Sequence, residues 1–151
     1  MDSFSLKVQD VVQAYVDYDS DITAYGNDIY ESRAMRMVLH MHNLLPGSWH
    51  KDRQQTVDRY IVDHLGDSLS ARVADIGFGV PSLYVRNILQ NKYQDVAITL
   101  ADKYESALEF AEVLLSQWDT HWQDTIRLQQ FDMDECKAFP GCTIQLYQDS
   151  L

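Results

Sequence analysis

Val73-Ala74-Asp75-Ile76-Gly77-Phe78-Gly79-Val80-Pro81-Ser82 is the stretch on which the reading of this chain turns. It is a short apolar run, then a bend with two glycines, then a proline. The pattern predicts a strand, a turn, and a helix whose first turn holds Pro81, where a missing N–H has no intrahelical partner to lose. Gly77 and Gly79 carry no Cβ, so the backbone can take positive φ and a ligand can come close to it. Asp75 stands two residues before the first glycine. That position is the carboxyl edge of a parallel sheet, the usual crevice for ligands in open α/β folds.

The charge of Asp75 bears on what such a crevice would hold. A carboxylate there attracts a cation, and S-adenosylmethionine carries a sulfonium and an ammonium and no phosphate. The rival is a dinucleotide. Gly77-x-Gly79-x-x-Ser82 is close to G-x-G-x-x-G, and Asp102 lies 20 residues beyond Ser82, a spacing that suits a ribose ligand. Against it, Ser82 stands where the third glycine belongs, and Asp75 would set a negative charge beside a pyrophosphate. A strand-to-helix turn with no ligand is the third alternative.

Downstream, strand and helix alternate. Asp95–Asp102 is a compact apolar run ending in an acid and reads as a buried strand. In residues 103–115, Ala107, Phe110, Ala111, Leu114 and Leu115 recur at helical spacing, with Glu105, Glu109 and Glu112 mainly off that stripe. Ile126–Asp132 is a third strand, again ending in an acid, and Thr143–Gln148 a fourth. The alternation predicts a parallel sheet with right-handed crossovers. Each terminal acid also has a purely structural reading, because aspartate is a favoured helix N-cap. Three such acids on successive strands make a stronger case together than singly, since half-buried carboxylates need partners.

On these residues, 72–151 resemble the first half of a class I S-adenosylmethionine-dependent methyltransferase. Asp75-x-Gly77-x-Gly79 matches that family's first motif, Asp102 its ribose-binding acid, and Asp132 its acid for the adenine amino group, with Met133 beside the ring. The resemblance implies cofactor contacts from Asp75, Gly77, Phe78, Gly79, Asp102, Lys103, Asp132, Met133 and Gln148. It implies an α/β, Rossmann-like methyltransferase fold, incomplete, with parallel strands in the order 3-2-1-4. It also implies direct displacement of a methyl group onto a nitrogen, oxygen or carbon of a small-molecule acceptor. Candidates for a base, where one is needed, are Asp149, His50 and Tyr25. A complete fold of this family continues for at least three more strands. The expectation is therefore a fragment, or a chain completed by a partner protein or a second copy. The alternative is a non-catalytic, methyltransferase-like subunit that binds cofactor or a partner.

The first seventy residues read as a helical cap, with 71–151 as the cofactor-binding unit. Leu6, Val11, Val12, Tyr15 and Tyr18 mark a first amphipathic helix, broken at residues 24–28. Asn27 or Asp28 is the expected cap of a second, with Tyr30, Ala34, Met37, Val38, Met41 and Leu45 on one face. Leu45-Pro46-Gly47-Ser48 is a stop. A third runs to about Leu65, with Val57, Tyr60, Ile61 and His64 or Leu65 inward and Gly66 as the C-cap. Tyr25, Tyr30, Trp49, His50 and Arg53 are candidate contacts, Arg53 for a ligand carboxylate. Packing alone is the competing explanation for the aromatic ones.

Composition excludes several classes. The chain has 151 residues, enough for one domain with a real core, and 46% hydrophobic content. Lys and Arg total 12 against 23 Asp and Glu, a formal charge of −11. No basic footprint for nucleic acid is present, and the charge opposes binding to anionic membranes. Cys136 and Cys142 do not form a C-x-x-C pair and read as reduced thiols of a cytoplasmic protein. No signal peptide or transmembrane run is visible. His40 and His42, two apart, point to different faces of a helix, and no metal site is expected.

Overall fold

The computed structural model describes residues 8–44, 49–67, 71–91, 95–132 and 144–147. Its sheet is built from β1 (Ala71–Ile76), β2 (Val96–Asp102), β3 (Ile126–Gln130) and β4 (Ile144–Tyr147). All pairings are parallel, and the order is β3-β2-β1-β4. The α/β class and the parallel pairing are those expected from the alternation of apolar runs, and the strand order is the one the resemblance implies.

Helices α1 (Val8–Tyr25), α2 (Arg33–Leu44) and α3 (Trp49–Asp67) precede the sheet; α4 (Leu83–Asn91) and α5 (Glu105–Trp118) form its crossovers. The chain steps from β1 to β2 to β3 in one direction, so two crossovers of the same hand put α4 and α5 on the same face. The packing shows it. Val73, Ile98, Leu100, Ile126 and Ile144 lie on one face of the pleat. They share a core with Ile61 of α3, Tyr84, Val85, Ile88 and Leu89 of α4, and Ala107, Phe110, Ala111, Leu114 and Leu115 of α5. The inward stripe of α5 is the one expected from its spacing.

The cap departs from expectation in several places. A 3₁₀ segment, Gly26–Glu31, follows α1, and the second helix starts later than Asn27 or Asp28 would set it. Ser32 is the residue at that start. Its hydroxyl accepts the Met35 N–H at 3.1 Å and donates to Asp21 Oδ2 at 2.6 Å. Tyr30 therefore precedes α2 and is 47% exposed, where an inward position was expected. Tyr60 is 62% exposed for a similar reason: α3 buries Ile61, and its neighbour points away. Gly66 lies inside α3, which continues to Asp67. Leu6, the stop at 45–48 and both cysteines lie outside the described residues.

α2 is the centre of the cap. Arg36, His40 and Asn43 are buried along one side of it, at spacings of four and three. His40 faces Phe110 and Trp118 of α5, with ring centroids 5.9 and 6.5 Å away. His42, elsewhere on the circumference, meets the Tyr15 hydroxyl of α1 at 3.2 Å. The two histidines do point apart, as their spacing requires, and no cluster of three or more metal-ligating side chains exists among the described residues. No described helix is long and apolar enough to cross a membrane.

Candidate functional site

The carboxyl ends of β1 and β2 lie side by side, with Asp75 in register with Leu100 and Ile76 with Ala101. The bend after β1 begins as Gly77 gives its N–H to the Ala101 carbonyl at 2.8 Å. Gly77 and Gly79 sit at φ 68° and 71°. A side chain at either would be strained, which is why glycine occurs at both. Phe78 turns inward and is buried. The helix does not open on Pro81 as expected. α4 begins at Leu83, and Pro81 and Ser82 extend the loop before it, with the Ser82 carbonyl accepting the Val85 N–H at 3.1 Å.

Asp75 is fully buried, and its Oδ2 accepts the Tyr84 hydroxyl at 2.8 Å. Burial holds the Tyr84 phenol well above its usual ionisation range. The Asp75 charge and the hydrogen bond to it push the same way. Tyr84 comes from α4, so the helix after the loop orients the acid before it.

Asp102 is 6% exposed at the end of β2. Its Oδ1 accepts the Tyr104 N–H at 3.0 Å and its Oδ2 the Gly79 N–H at 3.2 Å. The acid thus cross-links the glycine loop to the loop after its own strand. Its backbone carbonyl takes the Phe131 N–H at 3.0 Å, joining the end of β3 to the same place. Lys103 is exposed, with Nζ 5.3 Å from the centre of the Tyr104 ring, and its carbonyl accepts from Gln130 Nε2 at 3.0 Å. Asp132 is half-buried two residues past β3.

The cap contributes one buried cation. Arg36 Nη1 donates to the Gly79 carbonyl at 3.2 Å and Nη2 to the Tyr30 carbonyl at 2.5 Å. The guanidinium carbon lies 5.7 Å from the centre of the Tyr104 ring. Burial lowers its pKa, opposed by the negative charge of Asp102 and more weakly by Tyr104, Glu31 and Tyr30.

The structure therefore brings Asp75, Gly77, Phe78, Gly79, Asp102 and Lys103 to one edge of the sheet. It leaves Tyr25 exposed at the end of α1 and Arg53 half-buried one turn into α3. Trp49 and His50 lie in the first turn of α3, and their side chains are outside the described residues, as are Met133, Gln148 and Asp149. Arg36, Tyr84 and Tyr104 were missed in the sequence. For Arg36 a signal existed: Arg36, His40 and Asn43 recur at helical spacing, a polar stripe hidden beside the apolar one. For Tyr84 the spacing alone, inside a short apolar helix, pointed only to packing.

No protein-family model, curated protein or solved structure matches the chain.

Proposed function

We propose that this chain seats S-adenosylmethionine at the carboxyl ends of β1 and β2 and serves methyl transfer to a small-molecule acceptor. The fold this implies is a Rossmann-like one of the class I methyltransferase kind. The observation that carries the reading is the hydrogen bond from Gly79 N–H to Asp102 Oδ2, 3.2 Å long. It brings the Asp75-x-Gly77-x-Gly79 loop and the acid of the neighbouring strand to one spot.

The donor set suits a cationic nucleoside. Each carboxylate oxygen accepts more than one hydrogen bond, so Asp102 retains capacity for a vicinal diol beyond its two backbone donors. Tyr104, two residues on, offers an aromatic face for a base. Asp75, held by Tyr84, places negative charge beneath the bend, which opposes a pyrophosphate and favours an ammonium or sulfonium. Asp132 and Met133 are assigned to the adenine and Gln148 to the methionine end by resemblance to the family.

When bound, S-adenosylmethionine would supply a methyl group activated by the sulfonium, which an acceptor lone pair takes as the carbon–sulfur bond breaks and its electrons return to sulfur. The chain's own work is to position and to exclude water. Asp102 orients the hydroxyls, and the glycines allow close approach. Asp149, His50 and Tyr25 remain the candidates to take an acceptor proton.

Asp102→Ala tests the reading. It removes a charged acceptor from the diol, an interaction worth about 1.5–3 kcal/mol. Calorimetry should show S-adenosylhomocysteine binding roughly tenfold or more weaker, with the circular dichroism spectrum near that of the wild type. Unchanged affinity removes Asp102 from the site. Binding of NAD without binding of S-adenosylhomocysteine would replace this reading by the dinucleotide one. Methyl-transfer assays separate the enzyme from a binding subunit.

A further inference from the structure

The cap and the sheet meet over Asp102. Tyr30 lays its ring on that of Tyr104, with centroids 5.7 Å apart and planes 25° from parallel. The Tyr30 carbonyl accepts from Arg36 Nη2 at 2.5 Å and from Ser106 Oγ at 3.0 Å. The other end of the same guanidinium holds the Gly79 carbonyl, and Gly79 gives its N–H to Asp102. One side chain thus ties the segment Gly26–Glu31 to the glycine loop.

The fastening is of modest strength. The Arg36 side chain is 2% exposed, its Nε is buried with no hydrogen-bond partner among the described residues, and the two bonds it makes there go to neutral carbonyls. Its desolvation is therefore only partly offset. The Tyr30 ring is 47% exposed, so its stacking is marginal. The segment also has joints. Gly26 has φ 55° with nothing within 4 Å of where a Cβ would be, and Asp28, at φ −93° and ψ 23°, interrupts the helical run.

A nucleoside with its base beside Tyr104 and its hydroxyls on Asp102 needs the space that Tyr30 and Arg36 fill. We propose that Tyr30 and Arg36 form a latch that holds residues 26–31 closed over the glycine loop and Asp102, and that a nucleoside ligand binds only after it opens. The proposal rests on the cofactor reading above and adds to it an internal competitor. Apparent affinity is then the intrinsic affinity scaled by the open fraction. If about one molecule in ten is open, removing the latch tightens binding about tenfold.

Two variants test it. Arg36→Lys keeps the charge, but a single ammonium on a shorter stem cannot span both carbonyls. Tyr30→Ala removes a half-exposed ring and leaves the core intact. Hydrogen exchange is measured on the free proteins, and S-adenosylhomocysteine binding by calorimetry. The latch predicts faster exchange in residues 26–31 and at the Gly79 amide in Arg36→Lys, with α5 unchanged. It predicts tighter binding, up to about tenfold, in both variants. Unaltered exchange in both segments overturns the latch. So does weaker binding in Tyr30→Ala, which makes the ring a ligand contact and leaves the cofactor reading standing. Absence of binding in the wild type and both variants overturns the cofactor reading, and the proposal with it.

Discussion

The hydroxyl of Tyr84 and the carboxylate of Asp75 form the most consequential pair in the molecule at the level of single residues. Both are fully buried, and the phenol is the donor. Tyr84→Phe deletes that donor and leaves the ring, so packing changes little while a charged acceptor loses a partner. The expected cost is about 2 kcal/mol, read from urea denaturation. The pair also sets an alkaline limit. The folded-state pKa of Tyr84 is raised above its usual value of 10.0, so the folded protein keeps this proton where the unfolded chain releases it. The contribution is complete below pH 10 and is lost as pH rises from there towards the folded value. Wild-type stability should fall with a one-proton slope above pH 10 that Tyr84→Phe lacks. A second residue-level lesson concerns Asp102, which looked in the sequence like either a ligand acid or a helix cap. It is a loop-to-loop cross-link, bonding one N–H from each of two segments, an arrangement that spacing along the chain does not encode.

Ser32 decides an element boundary. Asn27 and Asp28 have the right chemistry to start a helix, and a cap there would have merged residues 28–45 into one run. The chain instead makes a 3₁₀ segment through Glu31, and Ser32 bonds the Met35 N–H, two residues into the first turn of α2. The same hydroxyl ties back to Asp21 of α1. Ser32→Ala should therefore loosen both the start of α2 and its junction with α1. A loss of about 1 kcal/mol is expected, at the usual size for a cap, measurable as a lowered urea midpoint. The helix after the glycine loop shows the converse. Pro81 is suited to a first helical turn, but α4 begins at Leu83, and Val80 and Ser82 are buried in the loop before it. α5 was legible throughout: its apolar residues recur at one period, and all five expected inward positions are buried.

For the whole molecule, the core shared by helices on one face of the sheet is the organising fact. Helices α3, α4 and α5 share a core with the odd-numbered side of β1 and the even-numbered sides of the other strands. The cap and the sheet unit are joined through α3, packed on α4, and through α2 and the 3₁₀ segment. A ligand seated between them stabilises the folded state as a whole. At 100 times its dissociation constant, S-adenosylhomocysteine should raise the unfolding free energy by about 2.7 kcal/mol. A thermal scan with and without it would show the shift, and Asp102→Ala should reduce it. What the sequence settled by itself is the part governed by local period and turn chemistry. The apolar runs located the strands, their alternation with a helical stripe made the sheet parallel, and the paired glycines placed the bend. Tertiary structure alone decided that Arg36 reaches Gly79, that Tyr30 lies on Tyr104, and that Tyr84 reaches Asp75. The physical reason is that hydrophobic periodicity reports only which side of an element leaves water. Which polar groups then share the dry space depends on how elements far apart in the chain come to pack.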